Sequence, residues 1–289
     1  MSAAASDERT LAPVGRRLAE IVGHRRVGAY DVISCDDPGG PAPDPGQFYM
    51  LAGAERWGGD EDERPFLPRA FSVLRRHEDG TLDFLLEDVG PGTRRLCELR
   101  AGDGMWILGP LGRGFAAPGK DRRPILAGGG VGLAPLAIWS DRLTESRRTG
   151  TGVRSPLVLL GFRDGPHAEG AALIPGAHVA TDDGSSGHRG LVTDLLRAEL
   201  AADRLGAEGE SGLEVYACGP PPMLEAVRAL CAGLGVPAQL ALESGMACGF
   251  GACFGCVVPT RTGYVRLCVD GPVLDAAGLD TALVPGAGH

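Results

Sequence analysis

The chain has 289 residues, enough for two domains with cores of their own and a small appendage. Its formal charge of −9, from 28 basic against 37 acidic residues, speaks against a nucleic-acid surface. The longest apolar stretch, Pro124 to Trp139, is broken by three consecutive glycines and is too short to cross a bilayer. The opening Met-Ser-Ala-Ala-Ala-Ser-Asp-Glu lacks a basic segment followed by an apolar one, so no secretory signal is expected and the expected location is the cytoplasm.

The first dozen residues read as a flexible lead-in. From Val14 to about Pro118, short β-type runs alternate with turn signals: Leu18 to Gly23, Tyr30 to Cys35, Gln47 to Leu51, Ala70 to Leu74 and Leu82 to Glu87. Strands at this spacing, with no helical periodicity between them, predict a small antiparallel barrel or sandwich. The charged stretch from Ala54 to Pro65 reads as a solvated loop. After Lys120 the pattern changes. A buried strand from Pro124 runs into Gly128-Gly-Gly-Val-Gly-Leu-Ala-Pro135, followed by a helix-like segment from Leu136 to Leu143. Strands at 156–161, 177–180 and 213–218 then alternate with helical stretches at 191–200 and 222–234, which predicts a doubly wound parallel sheet. The expected architecture is therefore α+β and multidomain: an antiparallel barrel over 14–118, an α/β domain over 119–240 and a cysteine-bearing region over 241–289.

Three motifs along this frame fit a flavin and a dinucleotide. Arg69-Ala-Phe-Ser72 opens a β run and offers a cation, a flat surface and a hydroxyl at successive positions; Gly90-Pro-Gly92-Thr93 follows as a glycine turn and helix start, whose N–H groups favour phosphate, while Arg-x-aromatic-Ser alone is also an ordinary strand pattern. The glycines at 128, 129, 130 and 132 end the first α/β strand, where backbone approaches a dinucleotide phosphate; Leu133 stands where a full G-x-G-x-x-G has its third glycine, so a plain tight turn is the competing reading. Cys218-Gly219-Pro220 ends a later strand of the same sheet and would border a nicotinamide, or serve as a small buried strand end. No histidine has metal-ligand spacing, and no Ser-His-Asp set or paired acid stands out.

The last motif is Cys248-Gly-Phe-Gly-Ala-Cys253-Phe-Gly-Cys256 followed by Cys268, the C-x4-C-x2-C…C spacing that wraps a [2Fe–2S] cluster. Gly249, Gly251 and Gly255 give the backbone freedom to curl around bridging sulfides. Structural zinc usually takes two paired Cys knuckles, whereas one knuckle here precedes a lone Cys. Disulfides are disfavoured where no secretory signal is evident. Cys35, Cys97 and Cys231 lie apart and read as small core fillers.

Arg69-Ala-Phe-Ser, Gly109-Pro-Leu-Gly-Arg-Gly-Phe115, Gly128 to Pro135, Glu243-Ser-Gly-Met-Ala-Cys-Gly and Cys268-Val-Asp-Gly-Pro-Val, in that order, resemble the ferredoxin-reductase-like superfamily. Within it they are most similar to the electron-transfer subunits of type B dihydroorotate dehydrogenase. The resemblance implies FAD held by Arg69, Ala70, Phe71 and Ser72, with further contacts at Leu85, Leu86, Glu87, Gly92 and Thr93. It implies a [2Fe–2S] cluster on Cys248, Cys253, Cys256 and Cys268, and NAD between the glycine run and Cys218-Gly219-Pro220. No residue of the chain is expected to act as a catalytic acid or base. The implied partner is an FMN-containing catalytic subunit that oxidises dihydroorotate in pyrimidine biosynthesis, in a heterotetramer. Three departures stand out: Ala70 where the family usually has Pro, a short interval from Cys256 to Cys268, and the acidic insert before Arg69. The alternatives are an NAD(P)H reductase for ferredoxin or another oxidoreductase, with Arg163 on a 2′-phosphate, and a redox-sensing or zinc module without enzymatic activity.

Overall fold

The computed structural model describes residues 10–13, 15–58, 65–150, 153–206 and 212–284. Most of the expected lead-in (1–9) and the middle of the expected 54–65 loop (59–64) lie outside the described residues. Six antiparallel strands close a barrel: β1 (Arg17–Val27), β2 (Tyr30–Cys35), β3 (Phe48–Gly53), β4 (Arg69–Arg76), β5 (Leu82–Leu86) and β6 (Gly104–Leu111), in the order β1-β2-β5-β4-β3-β6. Strand β6 escaped the sequence reading because its apolar run Met105 to Leu108 dissolves into Gly109-Pro110-Leu111. It closes the barrel by pairing with both β1 and β3. A short helix, α1 (Pro91–Cys97), plugs one end with the buried Leu96.

Side chains alternate across a strand, and here the two faces belong to different cores. Ile33, Val73, Phe84 and Leu86 point into the barrel with Ile21, Tyr49, Leu51 and Ile107. Their neighbours Tyr30, Val32, Leu74 and Leu85 point outward into a second core shared with the α/β domain. That explains why β2 and β5 are buried along nearly their whole length: the outer surface is covered too.

The second sheet holds β7 (Arg123–Gly129), β8 (Leu157–Phe162), β9 (His178–Thr181), β10 (His188–Arg189), β11 (Leu213–Cys218), β12 (Ala238–Ala241) and β15 (Val273–Asp275), in the order β10-β9-β8-β7-β11-β12-β15. All pairs are parallel except β12–β15. The C-terminal region thus lends the sheet its antiparallel edge strand, after making a two-stranded hairpin of β13 (Val257–Thr260) and β14 (Gly263–Arg266). Connections run through α2 (Leu133–Arg148), the single-turn α3 (Gly165–Ala168), α4 (Val192–Gly206) and α5 (Pro221–Leu234). Gly235 closes α5 in the left-handed conformation at φ 67°, where a Cβ is unfavourable. No helix among the described residues is long and apolar enough to cross a membrane.

Helix α2 lies between the sheet and barrel strand β4, and its buried side chains (Leu133, Leu136, Trp139, Leu143) join the shared core. Arg75 on β4 donates to Asp141 at 2.8 Å and to the Leu173 carbonyl at 2.7 Å, rimming the seam. Leu74→Ala removes a fully buried contact from that seam and should cost about 2–5 kcal/mol. Urea unfolding should show a lower midpoint at unchanged slope, with barrel and sheet signals moving together.

Candidate functional site

The cysteine loop is built around positive-φ backbone. Gly249 and Gly251 adopt φ 78° and 89°, and a third such residue is Phe254 at 58°, not the expected Gly255. Four thiols result in two pairs. Cys256 and Cys268 are buried with their Sγ atoms 3.1 Å apart, brought together by the β13–β14 hairpin between them. Cys248 faces the exposed Cys253. Burial alone would raise the Cys248 thiol. Hydrogen bonds from the backbone of Cys253 and Phe250, with the Cys253 side chain and the Ala252 backbone, overcome this and bring it down to about 6. Burial, then the neighbouring Cys256, pushes Cys268 up to about 12. Among the described residues no three Cys, His, Asp or Glu converge as a single-ion site. Two thiol pairs, with backbone N–H groups turned on both, fit an anionic two-iron cluster in which each iron takes two thiolates.

The flavin motif lies on β4, one strand from this loop. Strand β3 pairs with β4 so that Met50 stands opposite Ala70, Tyr49 opposite Phe71 and Phe48 opposite Ser72. Residues directly opposite share a face. Ala70, Ser72, Phe48 and Met50 therefore face outward, whereas Phe71 packs against the barrel interior with Tyr49. Met50 presses on the cysteine loop: a Cβ on Gly249 would lie 2.5 Å from its Cγ and 2.8 Å from its sulfur. One outward row of β3 thus joins the face carrying Ala70 to the loop between Cys248 and Cys253. Nothing local in the sequence marks Met50, because its role comes from strand pairing.

Arg69 begins β4 and donates to the Leu67 carbonyl at 2.7 Å. Its guanidinium lies on Gly92, where a Cβ would stand 2.5–2.8 Å from its nitrogens and central carbon. The structure thereby brings the two halves of the expected pyrophosphate site together. Thr93 holds the turn, its hydroxyl oxygen accepting from Val89 and Gly90 N–H at 2.9 and 3.0 Å. Leu85 and Leu86 bury their side chains in the two cores, leaving only backbone to face a ligand. Glu87 turns its carboxylate across to the α/β domain, where Arg163 donates to it at 2.7 Å.

The glycine run and Cys218-Gly219-Pro220 end adjacent strands β7 and β11 at the carboxyl edge of the sheet, where ligands of such folds collect. They touch backbone to backbone. A Cβ on Gly132 would stand 2.3 Å from the Cys218 carbonyl oxygen, and one on Gly129 would stand 2.6 Å from the Met223 sulfur. Gly128 is hemmed in by Leu160 and Leu136. Gly130, at φ 55°, faces open space apart from the Tyr30 hydroxyl. Close packing thus requires glycine at 132, where the clash is with backbone, and crowds 128 and 129 against side-chain ends, whatever else binds there. Burial, with Glu243 adding to it, pushes the Cys218 thiol up to about 12, so it stays neutral at physiological pH. A further turn lies at this edge, Thr181-Asp-Asp-Gly-Ser-Ser-Gly187, and its Asp-Gly-Ser chemistry is legible in the sequence although no motif there was expected. The buried Thr181 accepts from Ser186 N–H at 3.0 Å and donates to its carbonyl at 2.8 Å, fixing the turn beside the end of β8.

Of the remaining cysteines, Cys35 and Cys231 are buried as expected, whereas Cys97 is only half-buried beside Asp31. Gly132→Ala should cost about 1–3 kcal/mol, because the clash is with backbone that cannot turn aside. Thermal unfolding of the variant checks this.

The family of iron–sulfur cluster binding domains of dihydroorotate dehydrogenase B matches residues 243–280. A dihydroorotate dehydrogenase B (NAD(+)) electron transfer subunit from Caldanaerobacter subterraneus subsp. tengcongensis is 33% identical over 88% of this chain and 94% of its own length. One from Geobacillus kaustophilus is 39% identical over 80% of this chain and 85% of its own. Among solved structures, an NADH-dependent reduced ferredoxin-NADP oxidoreductase is 26% identical, with a TM-score of 0.71 over 93% of this chain and 92% of that one. A ferredoxin NADP+ reductase from Neisseria gonorrhoeae shares the fold at 18% identity, TM-score 0.58, over 76% of this chain and 92% of that one. With a closed barrel, a dinucleotide-type sheet and a four-cysteine loop in this order, and relatives this similar over most of its length, the chain belongs to the dihydroorotate dehydrogenase B electron transfer subunits.

Proposed function

We propose that the chain carries electrons from an FMN-containing partner that oxidises dihydroorotate, through a [2Fe–2S] cluster and FAD, to NAD+, as part of a cytoplasmic heterotetramer. FAD accepts and releases electrons in pairs or singly, which lets it stand between a one-electron cluster and a hydride-accepting nicotinamide. The chain's own residues bind and orient. In this reading residues 14–118 hold FAD through Arg69, the outer face of Ala70 and Ser72, and the turn at Gly92 and Thr93. Residues 119–240 hold NAD at the edge formed by Gly128, Gly129, Gly130, Gly132 and Cys218-Gly219-Pro220. Residues 241–289 hold the cluster on Cys248, Cys253, Cys256 and Cys268.

The observation that carries this reading is the outward row of β3, which puts the flavin motif and the cysteine loop on one face of the barrel. Phe250 and Phe254 flank Cys253 and are 59% and 62% exposed, an apolar rim beside the exposed thiol of the kind a partner subunit covers. The similarity to an NADH-dependent reduced ferredoxin-NADP oxidoreductase supports a second reading, in which another oxidoreductase takes the partner's place.

The complex captured anaerobically with this chain should reduce NAD+ when given dihydroorotate, in proportion to a co-purifying FMN protein. A flavin- and cluster-loaded complex without that activity would move the chemistry to the second reading. Cys253→Ser should abolish the cluster's visible absorption and its reduced-state EPR signal while flavin content is retained; an unchanged signal would remove Cys253 from the ligand set. Arg69→Ala leaves the phosphate turn without its cation and should weaken FAD retention by about tenfold or more, measured as flavin lost on dilution.

A further inference from the structure

Three side chains outside the electron path tie the barrel to the α/β domain across a crevice of about 570 Å³. Glu87 follows β5 and leads into the Gly90–Thr93 turn; Arg163 follows β8, the parallel neighbour of β7 and its glycine run. Arg163 Nη2 donates to Glu87 Oε1 at 2.7 Å, and His167 Nε2 lies 3.2 Å from the same oxygen. The other ring nitrogen of His167 meets Asp164, and Tyr30 from the barrel closes on the ring edge-to-face at 5.5 Å. Beside them the β1–β2 turn docks by backbone. Ala29 N–H donates to the Pro166 carbonyl at 3.0 Å, and Gly28, at φ 58°, passes so close that a Cβ would stand 2.0 Å from that oxygen.

Association of the two domains does not depend on this cluster. Arg163 is 61% exposed, and exposed ion pairs contribute little, whereas the apolar seam around Leu74, Leu85 and α2 is extensive. The cluster differs from the rest of the seam in what it connects. One end leads into the turn proposed for the flavin phosphates, and the other follows β8, the strand next to the sheet edge proposed for the dinucleotide.

We propose that Glu87, Arg163 and His167 are positioning residues that set the segment 163–168, and with it the bound dinucleotide, against the flavin face of the barrel. The inference rests on the dinucleotide reading above. Hydride transfer is sensitive to sub-ångström placement, so a restraint too weak to hold domains together is strong enough to tune it. Arg163, already matched to a carboxylate, is then a joint of the assembly and not a receptor for a 2′-phosphate.

Stopped-flow reduction of the flavin by NADH, in the cofactor-loaded complex, tests this. Arg163→Leu and His167→Gln should each lower the limiting rate at saturating NADH by about five- to tenfold, with FAD content unchanged and cluster reduction by dithionite unaffected. Arg163→Glu should be slower still, and adding Glu87→Arg should restore most of the rate. A rise in KM for NADH at unchanged limiting rate would make Arg163 a direct dinucleotide ligand and overturn the proposal. Loss of FAD from the His167 variant, or an exchanged pair that recovers nothing, would overturn it as well. Amide hydrogen exchange gives a readout that needs no dinucleotide: both variants should speed exchange over residues 27–31 and 163–170, and unchanged protection would refute the restraint. If NADH fails to reduce the flavin of the unaltered complex, the dinucleotide reading falls, and the exchange result alone decides whether the restraint exists.

Discussion

Part of the outward surface of β2, β4 and β5 has no solvent to meet. Tyr30, Val32, Leu74 and Leu85 are buried against α2 and the sheet, so the barrel and the α/β domain share one apolar core. Neither body exposes a complete surface of its own on that side, and separating them would return this area to water. Every functional distance in the molecule depends on this shared wall. The flavin motif sits on β4, the strand that α2 packs against, and the glycine run leads directly into α2. One helix therefore registers the two proposed cofactor edges against each other.

The third body is attached differently. The cysteine region gives β15 to the edge of the sheet, and its loop packs on Met50 and Leu111 of the barrel. It is anchored on both domains, which holds a short loop of thiols still without a core of its own. Loops below a few tens of residues cannot bury enough apolar surface to order themselves. Here Cys256, Val258, Leu267 and Cys268 borrow the core that runs beneath the sheet. The pair that is buried and the pair that faces outward follow from this: one side of the loop closes onto protein, and the other does not.

Glycine serves three unlike purposes in the chain, and residue type alone does not separate them. Gly249 and Gly251 are needed for backbone conformation, at positive φ within the cysteine loop. Gly132 is needed for contact, because another segment runs where a side chain would be. Gly92 is needed for a side chain, leaving room for the Arg69 guanidinium. A run such as Gly128-Gly-Gly-Val-Gly looks like a phosphate cradle in sequence, yet most of it is explained by two strand-to-helix turns packing against each other.

The sequence by itself determined the order of barrel, sheet and cysteine loop, the placement of most strands and the spacing of the four thiols. These are local properties: period-2 and period-3.6 patterns and short ligand spacings are written within a few residues of one another. It did not reveal β6, whose pattern fades into Gly-Pro, or β15, whose three residues mean nothing until β12 offers an edge. Only the tertiary structure decided that Phe71 turns inward, that Met50 links flavin strand to cysteine loop, and that Arg163 answers Glu87 from 76 residues away. Such pairings arise when separately encoded elements are packed against a common core, and no local pattern in the chain records which distant side chain will stand opposite.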